Sequence, residues 1–311
     1  MTAGAVVNFD DVASERRDVG ELRGAWRRID HGPVGLARVA VDPGARSSPV
    51  HSHGAEEEIF YVLGGSGLLW QDGATHEIAA GDAICALAGG PAHTLIAGED
   101  GLDVLAFGEN ADPPLVRLPH AGMLRRGAFW IDAAGTDPLA AEAAAGPLEV
   151  PAPSARPANV VATADAPFDE LREGKFVAGE HDLGTGTGSR RTGLRHAIRA
   201  AGRWSCPPHW HAIEHEIFVA LDGAATLELY DNDGQVVEEH PLRPGDVVRR
   251  PLGHPKRAHA LRGGDGDFTY LAYGMRRDED IIFYPRSRKA YLGSVLVRLD
   301  LADDYWDGER Y

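Results

Sequence analysis

Residues 44–65 read GARSSPVHSHGAEEEIFYVLGG, and residues 202–223 read GRWSCPPHWHAIEHEIFVALDG. Both stretches have glycine at each end, two histidines separated by one residue, and a glutamate five residues after the second histidine, at a constant offset of 158 positions. Further along, His93 and His259 and the residues that follow them match at an offset of 166. Because chance matches would not hold register across two such blocks, we interpret the chain as a duplicated domain.

Each copy has the pattern of β-structure. Ile59–Leu63 and Ile217–Leu221 are short apolar runs that end close to glycine, too short for buried helices. Trp70–Gly73 and Tyr230–Gly234 have the composition of hairpin turns. Many short strands separated by regular turns favour a sandwich or barrel. The sequence therefore predicts an all-β protein with two tandem barrels and a few short helices.

The repeat also predicts the domain organisation. We place the N-terminal domain at 1–131 and the C-terminal domain at 158–311. Between them, residues 132–157 are rich in alanine, proline and glycine and lack the alternation seen on both sides, so we interpret them as a linker.

The composition narrows the function classes. The 311 residues are 43% hydrophobic and 25% charged, with a net charge of -16, which argues against nucleic acid and against an anionic membrane face as partners. Two cysteines make no disulfide framework, and we find neither a secretory signal nor about 18 consecutive apolar residues. We expect a reduced, cytoplasmic, soluble protein whose partner is a small molecule.

The conserved spacing of the repeat brings together metal-binding side chains. His51 and His53 lie two residues apart, so on a strand both imidazoles point to the same face. Glu58 lies five residues after His53, which would place it on the opposite face of one straight strand, so we expect the strand to break between them. His93 can join the group from a neighbouring strand. The second copy repeats the set as His209, His211, Glu216 and His259. Three imidazoles and one carboxylate suit a first-row divalent ion and leave open positions.

Alternatives exist for some of these ligands. The repeat favours Glu58 over Glu56 and Glu57, because the second copy has Glu214 and His215 at those two positions. The third histidine of the second site stays open between His259 and the nearby His254. Cys206, three residues before His209, is either a neighbour of the second site or a small buried residue.

The same residues resemble the cupin superfamily. Its first motif is glycine, five residues, His-x-His, three or four residues, glutamate, six residues and glycine, and both copies fit it except that Gly44 and Gly202 lie one residue too far from the histidines. The second motif fits less well, since His93 comes one residue late and His259 three residues late, with Lys256 in register. The resemblance covers both halves, and the whole chain is similar to uncharacterised bacterial bicupins.

The resemblance implies a fold of two jelly-roll barrels with one divalent metal each, which is iron, manganese, nickel, copper, cobalt or zinc, with iron or manganese favoured. Characterised bicupins include flavonol and gentisate dioxygenases and oxalate decarboxylase. It therefore implies a dioxygenase-type oxidoreductase acting on a small oxygenated or aromatic molecule. A non-redox lyase, decarboxylase, isomerase or epimerase is the first alternative, and a non-catalytic ligand-binding protein is the second. The resemblance also allows a homodimer.

No catalytic residue beyond the proposed ligands is assigned from the sequence. The first barrel has the better defined ligand set, because His259 follows an eight-residue expansion of the second copy. We therefore expect the catalytic site to lie in the first barrel and not in the second.

Overall fold

The computed structural model describes residues 6–131, 137–250 and 257–299, without the side chains of His31 and Arg250. The strands up to residue 131 are β1 (Val6–Asn8), β2 (Glu15–Val19), β3 (Leu22–His31), β4 (Val34–Val41), β5 (Ser52–His53), β6 (Glu58–Gln71), β7 (Ala74–Ala79), β8 (Asp82–Ala86), β9 (His93–Glu109), β10 (Leu115–Leu118), β11 (Met123–Arg126) and β12 (Phe129–Ile131).

The strands after residue 157 are β13 (Val160–Ala162), β14 (Phe168–Glu173), β15 (Phe176–Asp182), β16 (Thr192–Arg199), β17 (Trp210–His211), β18 (Glu216–Asp222), β19 (Ala225–Tyr230), β20 (Val236–Leu242), β21 (Asp246–Arg250), β22 (Ala258–Gly263), β23 (Phe268–Met275), β24 (Ile281–Tyr284), β25 (Lys289–Leu292) and β26 (Val295–Arg298). The helices are α1 (Pro138–Ala144) and α2 (Leu183–Gly186), with 3-10 turns at Phe9–Asp11, Thr163–Asp165 and Pro285–Ser287. Neither described α-helix has the length and hydropathy of a membrane span.

The strands form two equivalent antiparallel barrels, which confirms the predicted all-β fold. The larger sheet of the first barrel has the order β13-β8-β6-β9-β4-β3-β2, and that of the second has the order β1-β21-β18-β23-β16-β15-β14. Smaller sheets complete each barrel, with the orders β12-β11-β10-β5 and β17-β24-β25-β26, and β20-β19-β22 belongs to the second barrel. The predicted hairpin turns lie where expected, between β6 and β7 and between β19 and β20.

The two barrels exchange one strand each. The N-terminal strand β1 pairs with β21 of the second barrel, and β13, which follows residues 132–157, pairs with β8 of the first. Between the barrels lies one hydrophobic core with residues of both, where the rings of Phe107 and Tyr273 stack at 5.0 Å. The domain boundaries at 131 and 158 stay a prediction about the chain. One strand from each side of them, β1 and β13, pairs with the barrel of the other side.

The described part of the predicted linker packs on the first barrel. Helix α1 forms because Asp137 caps it, accepting from the backbone N–H groups of Leu139 and Ala140. Its Glu142 is fully buried, and Oε1 accepts a 2.7 Å hydrogen bond from Arg46, which is itself buried. Further on, Glu149 accepts a hydrogen bond from the indole of Trp70 through its carbonyl. This segment is therefore held by specific contacts.

The strand registers show which positions of the two barrels correspond, also where the residues differ. Val39 on β4 pairs with Trp26 on β3, and Ala197 on β16 pairs with Glu180 on β15. Because Val39 and Ala197 are related by the 158-residue offset, Trp26 and Glu180 occupy the same place in the two barrels.

Candidate metal centres

In the first barrel, all four sequence-predicted residues converge. The nitrogens Nε2 of His51, His53 and His93 lie 3.4, 3.6 and 3.4 Å from Oε2 of Glu58. The strand breaks after His53 and begins again at Glu58, which is how the odd spacing is accommodated. His93 begins β9 and pairs with His51 through reciprocal backbone hydrogen bonds.

The histidines of the first group are oriented by acceptors on Nδ1. Nδ1 of His51 donates to the carbonyl of Pro49 at 2.9 Å, and Nδ1 of His53 donates to Glu56 at 2.7 Å. Since a carbonyl or carboxylate oxygen only accepts, Nδ1 of both rings carries a proton, and Nε2, which faces Glu58, is the atom left to bind a metal once it has lost any proton of its own. An acceptor that fixes the ring in this way is typical of metal-binding histidines. Glu56 therefore orients a ligand and is not itself in the predicted set.

The second barrel repeats the arrangement with His259 in the group. Oε2 of Glu216 lies 3.2 Å from Nε2 of His259 and 3.6 Å from Nε2 of His211. The rings of His209 and His259 are 4.7 Å apart, and Nδ1 of His209 donates to the carbonyl of Pro207 at 2.9 Å. The alternative candidate, His254, lies outside the described residues, as does Lys256.

A different carboxylate orients the second histidine of this group. Nδ1 of His211 donates to Asp280 at 2.7 Å, whereas Glu214, the counterpart of Glu56, lies 3.5 Å away. Asp280 also accepts from the backbone N–H of Ile213 at 2.9 Å. Glu214 instead accepts a 2.6 Å hydrogen bond from the backbone N–H of Arg277. Asp280 could not be found from the repeat, because its equivalent in the first copy is Pro114.

The donor atoms fit a divalent transition metal in each barrel. Ligand atoms of His51, His53 and Glu58 lie within 4.8 Å of one another, and so do those of the corresponding residues in the second barrel. Within the described residues, Nε2 of His53 and Oε2 of Glu216 are buried without a hydrogen-bond partner. Buried polar atoms are seldom left in that state, and a cation between the imidazoles and the carboxylate would satisfy them.

The surroundings of Glu58 and Glu216 keep both carboxylates ionised, as metal ligands have to be. Burial alone would raise the pKa of Glu58, but its interactions with the three nearby histidines lower it well below its ordinary value of 4.5. The interactions of Glu216 with His259, His211 and His209 likewise outweigh burial and lower its pKa. Burial disfavours the charged form of His53, yet Glu56 and Glu58 outweigh it and raise its pKa to about 10. Metal binding there would therefore displace a proton, since an imidazole must be deprotonated to act as a ligand.

The cavities next to the two groups differ. A cavity of about 580 Å³ in the second barrel is lined by His209, His211, Glu216 and His259 together. The corresponding cavity of the first barrel, about 440 Å³, is lined by His53 and Glu58. Apolar side chains fill the interior of the first barrel beyond its ligands, among them Val41, Leu69, Leu95 and Val104. Open space next to the complete ligand set is therefore found in the second barrel.

Other residues noted from the sequence have clear places. Cys206 lines the second cavity, with Sγ 3.5 Å from Nδ1 of His209, so it is a neighbour of the second site. Phe218 lines the same cavity and approaches the ring of His259. Its counterpart Phe60 is buried in the core of the first barrel. His215 is buried, and its neighbouring charge is Asp30 of the first barrel.

These observations define a class of protein, an antiparallel two-barrel chain with one histidine–glutamate group in each barrel. Residues 37–106 match the cupin domain family. The chain thus contains a cupin domain in its first barrel, and its second barrel repeats the fold of that domain. The resemblance inferred from the motifs is thereby confirmed.

Solved oxalate decarboxylases share the fold. A deletion mutant of the Bacillus subtilis enzyme has a TM-score of 0.59 at 15% identity, covering 90% of this chain and 80% of that chain. The Bacillus subtilis enzyme at pH 4.6 has a TM-score of 0.58 at 15% identity, with the same coverage. A structure used to assign its Mn(II) centres has a TM-score of 0.58 at 16% identity, covering 90% and 81%. At these identities the likeness establishes the fold, and no curated protein matches the sequence.

Proposed function

We propose that this bicupin is a metal-dependent enzyme that transforms a small organic molecule in the cavity of its second barrel. The observation that carries the proposal is the cavity of about 580 Å³ that meets all four proposed ligands there. Its size falls in the range of pockets that take up whole small molecules. The proposal reverses the sequence-based preference for the first barrel, because a complete ligand set is of little use to a substrate without adjoining space.

The residues have distinct roles. His209, His211, Glu216 and His259 would hold a divalent ion, which supplies Lewis-acid activation and open positions for the substrate. Asp280 fixes the ring of His211 by accepting from Nδ1. The first barrel would hold a second ion through His51, His53, Glu58 and His93.

For the reaction type, we favour non-redox chemistry of the lyase or decarboxylase kind. Such a reaction needs a proton donor next to the substrate, and Tyr284 is among the residues that line the cavity. Burial raises the pKa of its phenol, so it stays protonated at neutral pH. The ring of Tyr284 lies 5.9 Å from that of His209. The similar solved structures are oxalate decarboxylases, one of them described for its Mn(II) centres, which agrees with a decarboxylase and with manganese.

The dioxygenase-type oxidoreductase inferred from the family is the alternative, and oxygen dependence separates the two. Turnover of small organic acids, enols and phenols is measured with the metal-loaded protein, with and without oxygen. A decarboxylase or lyase releases its product at the same rate under anoxia, and zinc supports turnover in place of manganese. Turnover that stops under anoxia and is matched by oxygen uptake would assign the oxidoreductase.

A paired substitution tests the location of the chemistry. His211→Ala is expected to abolish turnover, and His53→Ala, its counterpart in the first barrel, to retain it. The opposite result would place the reaction in the first barrel. Binding of a ligand without turnover in the metal-loaded protein would favour the non-catalytic alternative.

A further inference from the structure

The interior of the second barrel has a polar wall where the first barrel is apolar. The strand registers pair four positions of the two barrels, namely Trp26 with Glu180, Ala37 with Arg195, Val41 with Arg199, and Val104 with Tyr270. The first member of each pair is apolar and packs in or against the core of the first barrel. All four second members line the cavity of about 580 Å³. We call Glu180, Arg195, Arg199 and Tyr270 the polar wall.

The polar wall is one connected network. Glu180 accepts hydrogen bonds from both Arg195 and Arg199, so two guanidinium groups share one carboxylate. Arg199 also donates to the hydroxyl of Tyr270. Arg199 is buried, yet within the described residues its Nε has no hydrogen-bond partner. The wall therefore carries one excess positive charge, with the side chain of Arg195 55% exposed, and it keeps two donors for a ligand, Nε of Arg199 and the hydroxyl of Tyr270.

Stability does not account for this network. A buried ion pair costs desolvation that its attraction barely repays, and replacing it with well-packed apolar side chains is often neutral or stabilising. The first barrel shows that this fold accepts tryptophan, alanine and valine at the same four positions. Charges in the second barrel are therefore better explained by a ligand that needs them.

The charges that line the two cavities point to the sign of that ligand. The second cavity has four arginines against four carboxylates, including the proposed ligand Glu216. The first cavity has two arginines against five carboxylates. With a divalent ion in each site, the second cavity becomes cationic and the first stays acidic. An anionic substrate is consequently favoured in the second barrel and disfavoured in the first.

The wall also lies at a distance from the proposed metal ligands. Glu216 pairs with Gly274, and Tyr270 precedes Gly274 by four residues on β23, roughly 13 Å of strand. Phe218 lies between the two levels, since its ring approaches both His259 and Tyr270. A molecule that meets both the metal ligands and the wall is therefore longer than a two-carbon diacid.

We propose that the polar wall binds a carboxylate group of the substrate, while the reacting end of the same molecule lies at His209, His211, Glu216 and His259. The proposal rests on the proposed function of the second barrel and names the substrate class as an organic acid longer than oxalate. Arg199 and Tyr270 each supply one donor, and a carboxylate has two oxygens to accept them. The hydrophobic ring of Phe218 is then left for the middle of the molecule.

Calorimetric binding of linear dicarboxylates, from oxalate to adipate, to the Mn²⁺-loaded protein tests the proposal without requiring turnover. We expect affinity to reach its maximum at a member longer than oxalate, and the uncharged diamide of that member to bind at least roughly tenfold more weakly. Glu180→Gln with Arg199→Met, which removes both charges of the pair together, should weaken binding roughly ten- to a hundredfold. Tyr270→Phe should have a smaller effect in the same direction.

Arg125→Met serves as the matched control, because Arg125 lines the cavity of the first barrel and its loss should leave binding unchanged. Unchanged binding in the Glu180→Gln, Arg199→Met protein, or no binding of any member to the metal-loaded protein, would overturn the proposal. Failure of the proposed function looks different. In that case the His211→Ala protein keeps the metal of its second barrel, or it retains turnover although that metal is lost.

Discussion

Nδ1 of His211 lies 2.7 Å from Oδ2 of Asp280, a residue 69 positions further along the chain, whereas the equivalent His53 is held by Glu56 only three residues away. The two barrels thus orient equivalent imidazoles with carboxylates from different parts of the chain. Each carboxylate fixes the tautomer that leaves Nε2 as the ligand atom.

Asp280→Asn should weaken metal binding at the second site alone. An amide accepts a weaker hydrogen bond from Nδ1, and loss of such a partner typically costs about ten- to a hundredfold in metal affinity. Competition with a fluorescent chelator measures the two affinities. Glu56→Gln is the matched variant and should weaken the first site instead. An equal loss at both sites in either variant would contradict separate roles for the two carboxylates.

Contacts of Glu57 should couple the stability of the two barrels. Its buried carboxylate accepts from the hydroxyl of Ser189 at 2.8 Å and from the backbone N–H groups of Arg190 and Arg191. Glu57→Ala should lower the free energy of unfolding by roughly 2–4 kcal/mol, because these donors lose a charged partner. Urea denaturation measures the loss. Asp169→Ala on the exposed strand β14 is the control. A similar loss of unfolding free energy in this variant would show that the contacts of Glu57 between the barrels do not contribute specifically to stability.

The pH dependence of stability should include a contribution from Glu228. Burial alone would raise its pKa, but hydrogen bonds from Tyr230, Trp204 and Arg262 lower it from its ordinary value of 4.5. Because the folded pKa is the lower one, its contribution is present above pH 4.5 and is lost as the pH falls through the folded pKa. Glu228→Gln should therefore destabilise the protein at neutral pH and flatten the pH dependence below 4.5. Parallel stability curves for both proteins over this range would contradict the assignment.

Metal removal should lower the melting temperature. An ion bound only by the folded protein stabilises it by about 2.7 kcal/mol at a free concentration one hundred times its Kd. Thermal unfolding with and without chelator measures this, and Mn²⁺ should restore the transition. A protein lacking His53 and His211 should melt at the same temperature with and without chelator. A chelator effect of the original size in that variant would show that the stabilising ion binds elsewhere.

Much of this architecture could be predicted from the sequence. Identical residues at constant offsets indicated the duplicated all-β fold, and those at the sites, such as His51 with His209, are now found grouped around Glu58 and Glu216. These positions were recognisable because the repeat keeps them unchanged. His259 lies beside Glu216 despite its irregular motif spacing, and its competitor His254 lies outside the described residues.

What the sequence could not reveal lies where the copies differ. Arg199 and Val41 share a position, but their difference has meaning only once both are seen inside a barrel. Asp280 reaches His211 through the fold of a distant turn, and no spacing rule predicts that contact. The exchange of β1 and β13 between the barrels depends on pairing of remote edges, which local patterns do not encode.

Elemental analysis of protein purified without added metal tests the central claim most directly. We predict about two divalent ions per chain, with about one lost in His53→Ala and about one lost in His211→Ala, because each histidine belongs to a separate ligand group. A chain without stoichiometric metal, or one that keeps both ions in His211→Ala, would contradict the account of two metal centres.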